Sequence, residues 1–213
     1  MFCNKMQNVI KRYGFIRVIK GGAKKIRNIF LMYLFRFDKW HVAPIEFREY
    51  AFDLCEQIDC FIQKGILPRE GKIVEIGCGL GDILAWGGRY KKCGFDLDAN
   101  VIRCAQVLHP TCRFEVGSFS SLSGMNIDVL VMVNFVHGIE PDNLRVQMSD
   151  LLKSNKVGMI VLDIVSDIQK SNYKYTHEGE YLLQNKGFVK IHTSKEYPAC
   201  GGAKRHIEFW KLM

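Results

Sequence analysis

The sequence predicts an α/β fold, in which mostly parallel strands alternate with helices and a helical arm precedes them. First, the β-branched run 73–76 enters a glycine-rich turn and continues into a short helical stretch, which is the pattern of a strand–turn–helix unit. Second, the run 127–134 is almost continuously apolar, as expected for a central parallel strand buried on both faces. Helical and strand patterns then alternate along the chain until a closing hairpin.

Composition indicates a globular domain with an extension. The chain has 213 residues, of which 48% are hydrophobic and 24% charged, as in ordinary soluble proteins. Its apolar runs fall short of the roughly 20 residues that span a bilayer, and the N-terminus lacks the features of a signal peptide. The eight cysteines show no metal-type spacing, which favours reduced thiols and no metal site. We therefore expect a cytoplasmic protein, peripheral at the inner face of the membrane if its arm binds lipid.

The basic charge belongs to an N-terminal arm, residues 1–43. Residues 1–40 carry ten Lys and Arg against one acid, whereas the remainder carries 20 against 21. Apolar residues fall at helical spacing in two segments, which we expect Gly21-Gly22 to separate. They are Met6, Val9, Ile10 and Tyr13, then Ile26, Ile29, Phe30, Tyr33, Leu34 and Phe37. The apolar stripe can pack on the domain or on a partner subunit, residues 1–36 can contact an anionic membrane, or the arm can bind nucleic acid.

The predicted domain, residues 44–213, begins with a helix that Pro44 opens and that runs to residue 63. Asp98 and Thr176 are expected as N-caps of two later helices, because each precedes apolar residues at helical spacing. Further helices are predicted at 83–86 and after Pro141. The predicted strands are 72–77, 92–95, 113–116, 127–134, 157–163, 189–192 and 205–212.

Glycine occupies every second position of the first turn, after an acid. The order is Glu75-x-Gly77-x-Gly79-x-Gly81. Glycines let the backbone approach a ligand closely, since no Cβ intervenes and positive φ costs little. If a helix follows, its free N–H groups face the same space. The spacing differs from the Gly-x-Gly-x-x-Gly fingerprint of dinucleotide-binding folds.

Two further polar residues follow strand ends. Asp96 lies 19 residues after Gly77, close to the separation at which nucleotide-binding α/β folds place an acid for the ribose hydroxyls. Asn134 ends the apolar strand 127–134. Because ligands of open α/β sheets bind at the carboxyl ends of the strands, we expect the glycine turn, Asp96 and Asn134 to form one site.

These three features together resemble the class I S-adenosylmethionine-dependent methyltransferases, over roughly residues 44–213. The resemblance implies a Rossmann-like sheet of seven strands with helices on both faces and the last strand inserted antiparallel. It also implies S-adenosyl-L-methionine as cofactor and methyl transfer as activity. The cofactor-binding residues carried over by position are Glu75, Gly77, Cys78, Gly79, Gly81, Asp96, Leu97, Ser118, Phe119 and Asn134.

One position departs from that family. Where the loop after the third strand usually presents an acid to the adenine amino group, this chain has Ser118. A hydroxyl or backbone contact could replace the acid there, with Leu97 and Phe119 as apolar faces for the ring. Cys78 is expected to be a small filler between the glycines, because no neighbouring base would activate its thiol.

The aromatic junction 35–41, which precedes Pro44, has two interpretations. In class I methyltransferases the segment before the first strand often covers the cofactor, so the junction is a candidate lid. The alternative is an aromatic plug that ties the arm to the core. The stretch Phe37-Asp38-Lys39-Trp40-His41 also resembles, less specifically, methyltransferase-like proteins of bacterial surface-polysaccharide gene sets.

Histidines supply the candidate catalytic groups. A hydroxyl acceptor must lose its proton, which an imidazole near neutral pH can accept. His137, three residues after Asn134, is the first candidate base and His41, in the candidate lid, is the second; structural roles for both stay open. We expect O-methylation of a small molecule or glycan, with a lipid-linked or surface-polysaccharide sugar among the candidate acceptors. The alternatives are an RNA methyltransferase that uses the basic arm and a non-catalytic methyltransferase-like binding module.

Overall fold

The computed structural model describes residues 14–86, 88–166 and 173–213, and it contains one mixed sheet. Its strands are β1 Lys72–Ile76, β2 Lys91–Asp96, β3 Arg113–Val116, β4 Asn126–Met132, β5 Lys156–Ser166, β6 Phe188–Thr193, β7 Tyr197–Pro198 and β8 Lys204–Leu212. The sheet order is β3-β2-β1-β4-β5-β8-β6, with the short strand β7 paired to β8. Strands β1 to β5 are parallel, whereas β8 runs antiparallel between β5 and β6.

Six α-helices flank the sheet or precede it in the described ranges. They are α1 Phe15–Phe35, α2 Glu49–Gln63, α3 Asp82–Trp86, α4 Ala99–Leu108, α5 Pro141–Ser154 and α6 Gly179–Leu183. Short 3₁₀ turns lie at Lys39–Val42, Ile45–Phe47, Phe119–Ser121, Val136–Gly138 and Cys200–Gly202.

The central strand β4 is buried on both faces, as its sequence predicts. Val129 and Val131 belong to a hydrophobic cluster with residues of α2 and α4. Leu130 and Met132 alternate with them and belong to a second cluster with residues of α5 and α6. This alternation places helices on both sides of the sheet and confirms the predicted α/β class, with its antiparallel last strand.

Several predicted boundaries differ from the structure. The sheet gains an eighth strand, β7, which is only two residues long and pairs with β8. The helix predicted at 44–63 is divided, because Arg48 adopts φ −109° and ψ 80° between a 3₁₀ turn and α2. The prediction of Thr176 as an N-cap is wrong, since α6 begins at Gly179 after Glu178. Asp98 does cap α4, accepting hydrogen bonds from the N–H groups of Asn100 and Val101.

Helix α1 is continuous through Gly21 and Gly22, so the predicted break is wrong. Gly21 is buried, and a Cβ built on it would lie 2.7 Å from the ring of Phe47. The glycine is therefore needed for close packing of α1 on the domain and does not interrupt the helix. The predicted stripe over residues 6–13 lies outside the described residues. In the second stripe, only Phe37 is buried, and the other members are exposed.

Candidate active site

A cavity of about 350 Å³ opens at the carboxyl ends of β1, β2 and β4. This is the edge at which open α/β sheets bind ligands. Most predicted site residues line it, although they come from distant parts of the chain. They are His41, Glu75, Gly77, Cys78, Gly79, Asp96, Leu97, Ser118 and Asn134.

Gly81, Phe119 and His137 do not line this cavity. Gly81 has φ +78°, and a Cβ there would collide with the ring of Phe114. Glycine at this position therefore allows Phe114 to pack against the turn. Phe119 is buried in the core, with its ring centroid 6.0 Å from that of Phe135. A direct contact of these residues with a ligand therefore stays a prediction.

The glycine turn brings bare backbone against the cavity. Gly77 has φ +72°, and a Cβ built there would lie 2.5 Å from the ring of Phe135. Gly79 has φ +53°, and its added Cβ would lie 3.1 Å from Nδ1 of His41. A side chain at either position would meet both backbone strain and a neighbour. The spacing in the sequence thus corresponds to a real steric requirement at these two positions.

Asp96 ties this turn to the end of β2. Its Oδ2 accepts a hydrogen bond from the N–H of Gly79 at 2.9 Å. Its Oδ1 accepts one from the N–H of Asp98 at 3.0 Å. Each carboxylate oxygen has two lone pairs and can accept a second hydrogen bond. Asp96 can therefore position the turn and still accept a hydrogen bond from a ligand in the cavity.

Glu75 lines the cavity as a buried acid with an unsatisfied oxygen. Its residue is 3% exposed, and its Oε2 has no hydrogen-bond partner in the described part of the chain. Burial raises the pKa of this carboxyl well above its ordinary value, although the positive charge of Arg48 opposes the rise. A ligand cation or strong donor would satisfy this oxygen.

Arg48 also lines the cavity, and sequence reasoning missed it. Its Nη2 lies 2.7 Å from Oδ2 of Asp82, at the first turn of α3. Burial alone would lower the pKa of its guanidinium, but Tyr50, Asp82 and Glu75 raise it, so the group stays charged. No recognisable motif surrounds Arg48 in the sequence. Only the fold shows that it reaches the site.

The aromatic junction contributes Asp38, Trp40 and His41 to the cavity rim. Phe37 is buried, and its ring makes an edge contact with His41 at a centroid distance of 6.1 Å. Burial lowers the pKa of His41, while the charges of Asp96, Asp98 and Asp38 oppose that decrease. The junction is therefore anchored in the core through Phe37 and also lines the cavity. Its role as a lid over a cofactor stays a prediction.

Asn134 is held in a left-handed backbone conformation, with φ +67°. Its N–H donates to Oδ1 of Asp163 at 3.0 Å, and its Oδ1 accepts from Nη1 of Arg205 at 2.9 Å. Tyr173 also donates to that oxygen, at 3.3 Å. Strand β4 ends at Met132, two residues before the predicted end, so these contacts fix the turn that follows it at the cavity. Their partners come from β5, β8 and the segment after β5.

His137 belongs to this buried network and lies behind the cavity wall. It is 1% exposed, and its Nε2 lies 3.2 Å from Oδ1 of Asp163. Nη1 of Arg205 lies 2.9 Å from Oδ2 of the same carboxylate. Burial alone would raise the pKa of the Asp163 carboxyl. His137 and Arg205 lower it by more than burial raises it, so the pKa lies below its ordinary value. The role of His137 as a base stays a prediction.

Several solved structures with the same architecture are methyltransferases. The magnesium protoporphyrin IX methyltransferase (ChlM) of Synechocystis PCC 6803, crystallised with bound SAM, superposes with a TM-score of 0.62 at 14% identity, covering 92% of this chain and 97% of that one. The fold is that of the S-adenosylmethionine-dependent methyltransferases. A methyltransferase from Clostridium acetobutylicum gives a TM-score of 0.56 at 13% identity, over 78% of this chain and 91% of that one.

A third structure agrees with these two. The TehB-like SAM-dependent methyltransferase of Corynebacterium glutamicum gives a TM-score of 0.55 at 16% identity, over 78% of this chain and all of that one. No family model matches the sequence, and no curated protein is significantly similar to it. The likeness is thus one of fold, and the activity has to be argued from the site.

Proposed function

We propose that this protein is an S-adenosylmethionine-dependent methyltransferase that transfers a methyl group to a hydroxyl oxygen of a small molecule or glycan. The observation that carries the proposal is the convergence of Glu75, Gly79 and Asp96 on one cavity at the strand ends. Such a site offers an unsatisfied buried acceptor, a bare backbone and a second carboxylate within one ligand-sized space.

The residues present fit the chemical groups of S-adenosylmethionine. The unsatisfied Oε2 of Glu75 suits the ammonium of the methionine part, and the charged guanidinium of Arg48 suits its carboxylate. Asp96 retains acceptor capacity for the ribose hydroxyls. Leu97, which is exposed at the rim, offers an apolar surface to the adenine, and Ser118 offers a hydroxyl beside it.

The cofactor, when bound, supplies a methyl group on a sulfonium, which is already a good donor. The protein must therefore align the acceptor with the methyl group and keep water out. Trp40 lies at the rim of the cavity, and Asn134 lies in the turn after β4. An acceptor would enter the cavity there. The hydrogen bonds from Arg205 and to Asp163 hold Asn134 in place. The broad face of Trp40 can pack against the apolar face of a sugar ring.

His41 is the favoured base in this proposal, because it lines the cavity. Its depressed pKa keeps the imidazole neutral at neutral pH, so a ring nitrogen can accept the proton of a hydroxyl acceptor. His137 stays the alternative base. It would need a rearrangement of the β4–α5 loop to reach an acceptor, since it is buried against Asp163. A surface-polysaccharide sugar, free or lipid-linked, is the acceptor that we expect.

Two measurements test the proposal. Calorimetry should show one site for S-adenosylmethionine, and the variant Asp96→Ala should bind more weakly. Incubation of the protein and cell extract with methyl-labelled cofactor, followed by mass analysis, should show label on a hydroxyl of a small molecule or glycan. Label on RNA would favour an RNA methyltransferase, binding without any labelled product would favour a non-catalytic module, and no binding would remove the cofactor assignment.

A further inference from the structure

Helix α1 packs on the domain through one face only. Gly21 and Asn28 are buried in this contact, and Nδ2 of Asn28 donates to the carbonyl of Val42 at 3.2 Å. Nε of Arg17 donates to the carbonyl of Glu46 at 2.9 Å, and Nζ of Lys24 lies 2.5 Å from Oε1 of Glu46. Leu31, Met32 and Phe35 pack against a small core cluster around Phe37. The helix is therefore fixed in position, and the orientation of its other face is defined.

The opposite face of α1 is apolar and open to solvent. Residues separated by three, four or seven positions share one side of a helix, so its members form a continuous stripe. Ile26, Phe30 and Tyr33 are between 65% and 75% exposed. The stripe consists of Phe15, Ile16, Ile19, Ile26, Ile29, Phe30, Tyr33 and Leu34. A contiguous apolar surface of this kind indicates an interaction site.

Basic residues border this stripe on both sides. By helical spacing, Lys20 and Arg27 lie along one border, and Lys25 lies on the other, followed by Arg36 at the helix end. Helix α1 contains five Lys and Arg and no acid. An apolar face between two basic borders complements the layered chemistry of a lipid surface, where anionic headgroups lie above acyl chains.

Other occupants fit this pattern less well. A second copy of the helix could cover the stripe, but it would bring two acid-free basic borders together, which like-charge repulsion disfavours. A nucleic acid would engage the basic residues through its phosphates but would leave the large apolar side chains in water. No helix within the described ranges is long and apolar enough to cross a bilayer, so α1 would lie on the surface.

We propose that α1 binds an anionic lipid bilayer, with its apolar stripe inserted at the headgroup boundary and its basic borders on the headgroups. The 3₁₀ turn Lys39–Val42 follows α1 closely, and Trp40, which is 68% exposed, lies at the cavity rim. Docking of α1 thus holds at the membrane a helix that directly precedes the cavity-rim segment along the chain. The inference rests on the surface of α1 alone and does not depend on the proposed function.

The test is flotation of the full chain with vesicles, without cofactor or acceptor. The protein should float with vesicles that contain phosphatidylglycerol and remain at the bottom with phosphatidylcholine alone. The variant Ile26→Ser with Phe30→Ser should lower the partition coefficient by about tenfold or more, since two large apolar side chains are lost from the stripe. Lys20→Gln and Lys25→Gln should each lower it by about fivefold at low salt.

A matched control replaces exposed apolar residues elsewhere, namely Val107→Ser in α4 with Val146→Ser in α5. This variant should float as the unchanged protein does, and circular dichroism should show that all variants are folded. The proposal is overturned if the stripe variant floats unchanged, because binding would then come from another segment. It is also overturned if the unchanged protein is retained on RNA and does not float with vesicles. A third contrary result is a dimer of the unchanged protein that does not float and that becomes a monomer in the stripe variant.

Discussion

The carboxylate of Asp96 holds the backbone of Gly79, whose N–H donates to Oδ2 at 2.9 Å. One residue ends β2 and the other lies in the turn after β1, so a single hydrogen bond connects the two strongest signals in the sequence. The acid therefore shapes the glycine turn as well as presenting an acceptor to the cavity.

Replacement of Asp96 by Ala should weaken binding of S-adenosylmethionine by about 10- to 100-fold. The variant loses an acceptor for the ribose and the contact that positions Gly79, and hydrogen bonds to charged groups are worth roughly 1.5–3 kcal/mol. Asp96→Asn should bind with intermediate affinity, since one amide oxygen remains to accept. Calorimetry measures both, and equal affinity in all three proteins would contradict the assignment of Asp96.

A methyl group at position 79 should also reduce cofactor affinity. Gly79 has φ +53° and a neighbour, His41, 3.1 Å from the added Cβ, so Gly79→Ala distorts the rim of the site. Gly124→Ala is the matched control, because Gly124 has φ +67° with open space around it. Both variants should lose about 1 kcal/mol of stability or somewhat more, from backbone strain. Only Gly79→Ala should bind the cofactor less tightly in calorimetry.

Glu75→Gln should separate stability from binding. Burial raises the pKa of Glu75, so ionisation of this acid disfavours the folded state once the pH rises above the ordinary carboxyl range. Without ligand, the variant should thus unfold at the same temperature as the unchanged protein or at a higher one. Its affinity for the cofactor should fall by about tenfold or more, because an amide cannot ionise to the carboxylate that would pair with the ammonium. Thermal unfolding with and without S-adenosylmethionine checks both, and a variant that keeps its full ligand-induced shift would contradict the role of Glu75.

The pKa of His41 predicts how activity depends on pH. Burial lowers this pKa below its ordinary value of 6.5, so the base should be lost only as the pH falls through the depressed value. The charge of Asp38 raises the pKa, and Asp38→Asn should therefore move the acidic limb to still lower pH. Titration of the His41 ring by NMR measures the shift, and kcat/KM against pH measures its effect on turnover.

Two further variants delimit the prediction for His41. Asp150→Asn, at an exposed site on α5, should leave the acidic limb unchanged. His41→Gln should bind the cofactor and turn over slowly. Full turnover in His41→Gln, with loss in a folded His137→Gln, would transfer the role of base to His137.

The buried network behind Asn134 should be important for stability. Asp163→Asn leaves the buried Arg205 without its ion-pair partner, and removal of one partner from such a pair costs about 3–5 kcal/mol of unfolding free energy. The net lowered pKa of Asp163 means that its ionised form stabilises the fold above the ordinary carboxyl range. That contribution is lost as the pH falls through the depressed pKa.

The difference between the unchanged protein and Asp163→Asn should accordingly shrink in acid. Urea unfolding at several pH values measures it. Asp150→Asn provides the control, because Asp150 and Lys153 form an exposed pair whose loss should cost less than about 1 kcal/mol. A cost for Asp163→Asn as small as that of the control would contradict a structural role of the network.

Part of the site could be predicted from short stretches of sequence. The glycine spacing, the acid at the end of β2 and the apolar run of β4 are local patterns, and each reflects a requirement of backbone conformation or burial within a few residues. Because parallel strands end at one edge of the sheet, the separate signals could also be placed together. Asp98 as the cap of α4 was predictable for the same reason, since its two hydrogen bonds join neighbours along the chain.

The rest required contacts between residues far apart in sequence. Arg48 reaches the cavity because Asp82 pairs with it, and Arg205 fixes Asn134 from 71 positions away. No local pattern shows that His41 lines the cavity while His137 is buried behind it, since both follow aromatic or apolar residues.

Helix α1 is a second example of what local sequence patterns cannot predict. Its sequence determined that it is helical, basic and amphipathic, because these properties depend on spacing along one chain. Which face packs was decided by close approach at Gly21 and by the hydrogen bond of Asn28, so that the apolar stripe remained in solvent. Periodicity measures how apolar a face is, whereas packing also depends on the shape and polar groups of the surface opposite it, which only the tertiary structure supplies.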